Sequence, residues 1–381
     1  MIRNVSKFKW SVKLILFIII CTVAILHQKV GGGFNGVATV HALCPFGALE
    51  SLGNLISGKS FISKTYYSNL VFLGGSIALT IFFGRLFCGW LCAFGTLQDI
   101  FSAIGKKIFK KRFYINEKLD GYLKYLKYFI LAIILYLTWK TGELIVSPYD
   151  PFAAFSHLPA GISEVLSGYL WGFILLIVIL MSSLFYDNIF CKYMCPLGAF
   201  YGTIEKLSAF KIKRDTSTCI KCKKCDKVCP VSIKIEKNEI VKSSECLACM
   251  KCVSVCPTNK NSLSLKIGNH ILSPLKVGSA GIMTFAAIIL VSKGMGYMQT
   301  MPNTMNEILV GDPDKIRGWM SMEQIITEFK IDKNRFYSEL GVDELDLPLS
   351  TTVKKSEDIL KGKGIEFDHD KIGEVVKRLI K

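Results

Sequence analysis

Acidic residues are in short supply in this chain: 30 Asp and Glu stand against 47 Lys and Arg in 381 residues, a formal charge of +17. An excess of that size admits nucleic acid as a partner, but its distribution argues against one. Lys and Arg number four in residues 1–13, nine in 85–127 and sixteen in 192–276, against only Lys59 and Lys64 in 31–67 and Lys140 alone in 140–164. Histidine is scarcer still, five in all, and the isolated His27 and His157 form no haem-ligating pattern. No small-x-small cleavage pattern follows the basic start (Arg3, Lys7, Lys9, Lys13), and His41-Ala42-Leu43 before Cys44 does not suit a lipoprotein signal. The first apolar stretch therefore reads as a retained helix rather than a removed leader.

Long apolar runs are abundant. The mean hydropathy is +0.38 and 51% of residues are hydrophobic, too apolar for an ordinary soluble domain. Residues 12–30, 69–87, 125–146, 165–190 and 275–292 each approach the ~20 residues a helix needs to cross a bilayer. Basic and base-poor segments alternate between these runs as the positive-inside rule requires. That sets the amino terminus and residues 192–276 in the cytoplasm and residues after 294 outside a cell membrane crossed five times.

Fourteen cysteines are present, twelve of them on the expected inner side, where thiols stay reduced. Eight form two runs of C-x-x-C-x-x-C-x-x-x-C-P: Cys219, Cys222, Cys225 and Cys229 before Pro230, then Cys246, Cys249, Cys252 and Cys256 before Pro257. This spacing wraps thiolates around two [4Fe-4S] cubanes. In such tandems the fourth cysteine of each run serves the other cluster. One set is then Cys219, Cys222, Cys225 and Cys256, and the other Cys246, Cys249, Cys252 and Cys229. Paired structural zinc sites also use four thiolates, but do not call for a doubled triplet with a proline after each last cysteine. Residues 231–245, with Ile233, Ile235, Ile240 and Val241 around Lys237-Asn238, read as a short hairpin joining the halves of an α+β ferredoxin module.

Three other segments resemble one another: Cys44-Pro45-Phe46-Gly47, Cys92-Ala93-Phe94-Gly95 and Cys195-Pro196-Leu197-Gly198. The last two carry a further cysteine four residues earlier, Cys88 and Cys191, which puts both sulfurs on one face if the segment is helical. Cys88, Cys92, Cys191 and Cys195 thus read either as a third metal centre or thiol redox pair at the inner membrane edge, or as small polarisable packing residues beside close-approach glycines.

The C-x-x-x-C turns at membrane edges followed by the doubled ferredoxin run resemble the polyferredoxin membrane proteins of periplasmic nitrate reductase and nitrous-oxide reductase maturation systems, over approximately residues 10–295. The resemblance implies that electrons pass between the quinone pool, cytoplasmic-side clusters and partners across the membrane. The chain departs from the family in having Ala93 after Cys92, and in showing no large external amino-terminal flavin domain and no S/T-G-A-T flavinylation sequence.

Lys221, Lys223, Lys224 and Lys227 interleave with the first ligand run, as a docking face for an acidic ferredoxin or flavodoxin or simply as a solvated inner face. On the outer side His41 with Cys44, and the segment 147–152 with His157, offer a quinone head-group site or a plain interfacial belt. Residues 294–381 hold thirteen basic and sixteen acidic residues with helical apolar spacing. Ser321-Met322-Glu323-Gln324 reads as a capping box, Phe336 and Leu340 as a helix ending at Gly341, and Ile372, Val375, Val376 and Leu379 as a last helix. Near-balanced charge in this region speaks against DNA, and an exported redox partner or a structural cap fits it.

The expected architecture is an α-helical integral membrane protein with an inserted two-cluster module and a small helical end. Its parts are a four-helix membrane domain (1–213), the ferredoxin module (214–268), a fifth membrane helix (269–298) and an external helical domain (299–381). The expected function is one-electron relay through two [4Fe-4S] clusters between a cytoplasmic carrier or the quinone pool and a redox partner. The alternatives are an assembly factor that reduces a metal ion for another enzyme, or an iron–sulfur redox sensor.

Overall fold

A computed structural model describes residues 2–30, 37–58, 61–62, 65–110, 113–258, 262–267, 270–301, 313, 316, 318, 320–362 and 370–380. The chain divides into two compact units: residues 1–25 with 40–299, and residues 26–39 with 300–381.

Three helices of the first part of the chain are long and apolar enough to cross a membrane: α1 (Ile2–Val30), α5 (Glu117–Thr141) and a late helix, Pro274–Gly294. They leave large apolar side chains uncovered, among them Ile15 and Ile18 on α1, Phe129 and Tyr136 on α5, and Met283, Leu290 and Val291 on the late helix. Lipid is the solvent that suits such faces. The other two expected crossings differ in form. Helix α3 (Tyr67–Phe83) has 17 residues, ~25 Å at 1.5 Å per residue, short of a ~30 Å hydrocarbon core. The run at 165–190 breaks into α7 (Ile162–Gly168) and α8 (Leu170–Phe185), bent by 110°.

Between these lie shorter helices: α2 (Pro45–Ile56), α4 (Ala93–Phe109), α6 (Pro151–His157), α9 (Ile189–Tyr193) and α10 (Pro196–Ile204). Four of them, α2, α4, α6 and α10, begin directly after a cap at Cys44, Cys92, Asp150 and Cys195, three of these with proline at the first helical position. That position has no intrahelical use for an N–H, so proline costs nothing there. The starts of these helices meet in pairs. Phe94 of α4 stands edge-on to Phe152 of α6 at 6.0 Å, and Leu197 and Phe200 of α10 pack on Ala48 and Leu49 of α2.

The cysteine-rich part is an antiparallel sheet in the order β2 (Ile240–Val241), β1 (Phe210–Arg214), β3 (Leu263–Ile267), β4 (His270–Leu272), with two five-residue helices, α11 (Lys224–Val228) and α12 (Lys251–Val255). The expected hairpin within 231–245 does not form. Ile240 and Val241 pair instead with Lys213 and Ile212 of β1, while the Ile235 and Glu236 amides donate to the Asp226 carboxylate and so are withdrawn from any ladder. The late helix, α13 (Pro274–Gly294), follows β4 and starts on a Ser273 cap.

The second unit packs α14 (Met322–Glu328), α15 (Lys333–Leu340), α16 (Val353–Gly362) and α17 (Asp370–Ile380) around Met322, Ile325, Phe336, Leu340, Leu360, Ile372, Val375 and Val376. Ser321 and Gln324 make the expected reciprocal capping box, and Gly341 closes α15 at φ 75°. Helix α16 was not anticipated from sequence.

Candidate iron–sulfur sites

The two cysteine runs fold onto one backbone pattern. In the first, Lys221 and Lys223 take left-handed φ of 52° and 57°; in the second, Ala248 and Met250 take 46° and 60° at the corresponding positions. Each run then makes a five-residue helix ended by its fourth cysteine in extended conformation, Cys229 at φ −69°, ψ 115° and Cys256 at φ −65°, ψ 121°. Side chains other than glycine tolerate left-handed φ only where the surroundings demand it. Four such residues at matched places indicate loops shaped around a bulky body.

Cys229, Cys246, Cys249 and Cys252 line one small pocket, walled otherwise by apolar groups such as Ile212, Val231, Ile235, Val241 and Met250. These four are the crossed set expected for the second cubane, and a dry, apolar wall suits it. The first set is the outward one: Cys222 is exposed, Cys219, Cys225 and Cys256 are half-buried, and Ile220 is exposed beside them. Burial pushes the Cys229 thiol up to about 11, and burial with the neighbouring Asp226 pushes Cys225 up to about 12. Metal-free, these thiols are protonated at neutral pH, so binding iron there releases protons. Among the described residues no three His, Cys, Asp or Glu groups lie close enough to hold a single metal ion.

The loop at 244–251 that carries the buried set is clamped to the membrane helices. Lys9 of α1 donates to the Cys249 carbonyl at 3.2 Å and lies 5.7 Å over the Trp90 ring, whose Nε1 donates to the Ala248 carbonyl. Lys127 of α5, fully buried, donates to both Glu245 oxygens at 2.6 and 2.5 Å. Asp99 of α4 bridges Lys13 of α1 and Lys251 of the loop. At Gly89 a Cβ would lie 2.2 Å from the Leu247 carbonyl, so only glycine permits this approach.

Gly89 lies between Cys88 and Cys92, which brings the paired thiols into view. The turn Phe87–Leu91 is π-helical and Cys92 caps α4, so Cys88 and Cys92 do not share a regular helix face as expected. Cys191 ends up in α9 and Cys195 caps α10. The two turns are copies: Gly95 and Gly198, each three residues past the second cysteine, would place a Cβ 3.3 Å from the Cys88 and Cys191 carbonyls respectively, and their amides donate to Cys92 and Cys195 sulfur. All four thiols lie within electrostatic range of one another. Gln98 donates to the Cys191 sulfur at 3.2 Å. Next to them the Arg85 guanidinium is buried with Nε and Nη2 lacking any hydrogen-bond partner among the described residues.

Of the candidates expected on the outer side, Cys44 and Asp150 lie within electrostatic range of each other, and Cys44 of Cys92 as well, whereas His41 and His157 are engaged elsewhere. Cys44 caps α2, the His41 carbonyl accepts from Asn69, and His157 faces Glu164 at 3.4 Å and stacks on Tyr169 at 4.3 Å. Asp150 caps α6, as a proline-fixed turn requires. Sequence reasoning missed two features. The run Asp150-Pro151-Phe152-Ala153-Ala154-Phe155 is a fourth copy of the cysteine turn with aspartate as cap, visible once the proline and aromatic positions are aligned. Arg85, three residues before Cys88 at the end of an apolar helix, was the other available signal.

A family model described as "4Fe-4S binding domain" matches residues 65–112 and 167–215, and one described as "4Fe-4S dicluster domain" matches 211–257. The protein MJ0750 of Methanocaldococcus jannaschii is 34% identical over 201 residues, 52% of this chain and 76% of that protein. The chain belongs to the polyferredoxin-like membrane family. YccM of Escherichia coli, named for electron transport, is 31% identical over 195 residues, 48% of this chain and 51% of its own length. The ferredoxin-type protein NapH of Haemophilus influenzae is 28% identical over 181 residues, 46% of this chain and 59% of its own. The chain thus spans only about half the length of some relatives it matches. No solved structure matches it. The protein is a membrane protein with 4Fe-4S binding domains.

Proposed function

We propose that this polyferredoxin-like protein relays single electrons between a cytoplasmic ferredoxin- or flavodoxin-like carrier, or the quinone pool, and a redox partner, through two [4Fe-4S] clusters and a third centre at the membrane edge. When bound, the clusters supply one-electron storage without bond making. Cys219, Cys222, Cys225 and Cys256 hold the outward site, where Lys221, Lys223, Lys224 and Lys227 meet an acidic carrier. Cys246, Cys249, Cys252 and Cys229 hold the inner site against Trp90 and Lys9. Cys88, Cys92, Cys191 and Cys195 hold the third. The charge pattern supports cytoplasmic clusters and an external carboxy-terminal unit facing an exported partner.

The observation that carries this reading is the shared cavity of Cys229 with Cys246, Cys249 and Cys252 on a loop packed directly on the Cys88–Cys92 turn. Membranes containing the anaerobically prepared protein are to be mixed with reduced ferredoxin or a quinol analogue while cluster EPR is followed. Substoichiometric reduction on a timescale of hours would defeat the relay reading; complete, rapid reduction is expected. Iron above eight per chain, lowered by Cys88→Ala or Cys191→Ala, is expected of the third centre.

A further inference from the structure

Arg85 is 1% exposed, so its positive charge is out of reach of water. Its Nη1 donates to the Ser244 carbonyl at 2.6 Å, at the head of the loop that carries Cys246, Cys249 and Cys252. Its Nη2 lies 3.0 Å from where a Cβ on Gly198 would stand, against the first turn of α10 that Cys195 caps. Nε and Nη2 find no hydrogen-bond acceptor among the described residues, and the buried Glu205 Oε2 finds no donor. The ionisable groups facing it are Cys88, Glu245, Cys195 and Glu205, the last with its carboxyl pushed by burial up to about 7. Of these, Glu245 is already engaged by Lys127 with both oxygens. A buried guanidinium with unused donors and no paired anion is costly unless a negative group faces it. Neutral thiols do not meet that need; four thiolates around an iron–sulfur core, which leave net negative charge, do.

We propose that Arg85 is the charge-compensating positioning residue of the centre held by Cys88, Cys92, Cys191 and Cys195, and that its bond to Ser244 ties that centre to the loop of the inner cubane. The inference rests on the reading of those four thiols as a third iron–sulfur site. With clusters bound, an electron passing from the cubane held by Cys229, Cys246, Cys249 and Cys252 to this centre would remove one negative charge from the first and add it to the second, with no proton transferred. A fixed guanidinium beside the acceptor offsets that added charge without reorganising, and the first-turn amides of α4 and α10, donating to Cys92 and Cys195, act in the same sense.

The test is an EPR-monitored redox titration, with iron analysis, of the anaerobically purified full chain and of R85K, R85Q and E205Q. With iron above eight per chain throughout, R85Q should lower the reduced-to-oxidised ratio of the third centre at fixed potential at least tenfold, ~59 mV for a one-electron couple. R85K should stay within threefold of the native ratio. E205Q, titrated at alkaline pH where the Glu205 carboxyl that burial pushes up to about 7 is ionised, should raise the ratio and serves alone if R85Q does not accumulate. An unchanged ratio in R85Q, or in E205Q, or a shift in R85K as large as that in R85Q, overturns the role of Arg85 while leaving the third centre standing. Iron never exceeding eight in the native chain, with no third signal, overturns the reading beneath it.

Discussion

Lys127→Met is the sharpest single perturbation of the seam between the cysteine-rich sheet and the membrane helices. Lys127 is fully buried and Glu245 nearly so, and the ammonium donates to both carboxylate oxygens. Methionine keeps the length of the side chain and its apolar contacts but leaves the Glu245 carboxylate buried without its cation. Removing one partner of a buried pair typically costs about 3–5 kcal/mol. Arg85 stays in electrostatic range of Glu245, which places the expected loss at the low end, about 3 kcal/mol, roughly a hundredfold in the folding equilibrium. The double change Lys127→Met, Glu245→Leu removes both charges and should return to within about 1 kcal/mol of the native protein, since apolar replacements of buried pairs are often neutral. The assay is anaerobic denaturant unfolding in detergent, followed by the visible absorbance of the clusters. A single variant that loses less than about 1 kcal/mol, or a double variant as unstable as the single, would refute the claim that this pair is buried and mutually dependent.

Cys229→Ser should extinguish the EPR signal of the inner cubane and spare the outer one, and Cys256→Ser the reverse; loss of the same signal in both disproves crossed ligation. Gly89→Ala drives a Cβ into the Leu247 carbonyl, so electron exchange between the membrane-edge centre and the inner cubane should slow at least tenfold with both still assembled, as read by flash reduction. An unchanged rate there means the turn and loop are not in contact. Ser321→Ala removes the oxygen that accepts the Gln324 amide and should cost the carboxy-terminal helices about 1 kcal/mol. Hydrogen exchange of the α14 amides measures it, and unaltered protection rules the cap out.

That the two cysteine runs fold alike was legible in their shared spacing: left-handed residues fall at matching places in both. The thiol turns were legible as repeats but not as geometry. A π-helical turn ahead of Cys92 and a helix break before Cys195 replace the continuous face that a four-residue interval suggests. The hairpin at 231–245 failed because one carboxylate, Asp226, takes two amides that a ladder needs, a contact nine and ten residues back that no strand pattern reveals. Arg85 escaped notice since its partner is a main-chain carbonyl 159 residues away. Hydropathy located the apolar runs but not their shape: the run at 69–87 yields only 17 helical residues because Gly84 stops α3 at φ 70°, and that at 165–190 folds over at Tyr169.

The order of the centres follows from what each one touches. Cys222 and Ile220 face outward, and nothing in the membrane helices clamps their loop as Lys9, Trp90 and Lys127 clamp the second. In the proposed relay a soluble carrier meets the outward set first. The inner set is shielded by apolar walls and bonded to α1 through the Cys249 carbonyl and to α5 through the Glu245 carboxylate, so it keeps a fixed distance from the Cys88–Cys92 turn whatever docks outside. Fixed spacing is what a tunnelling relay requires of its protein. Lys9 and Trp90 on main-chain oxygens and Lys127 on the Glu245 carboxylate, rather than on the cysteine sulfurs, set that spacing without taking up a ligand position.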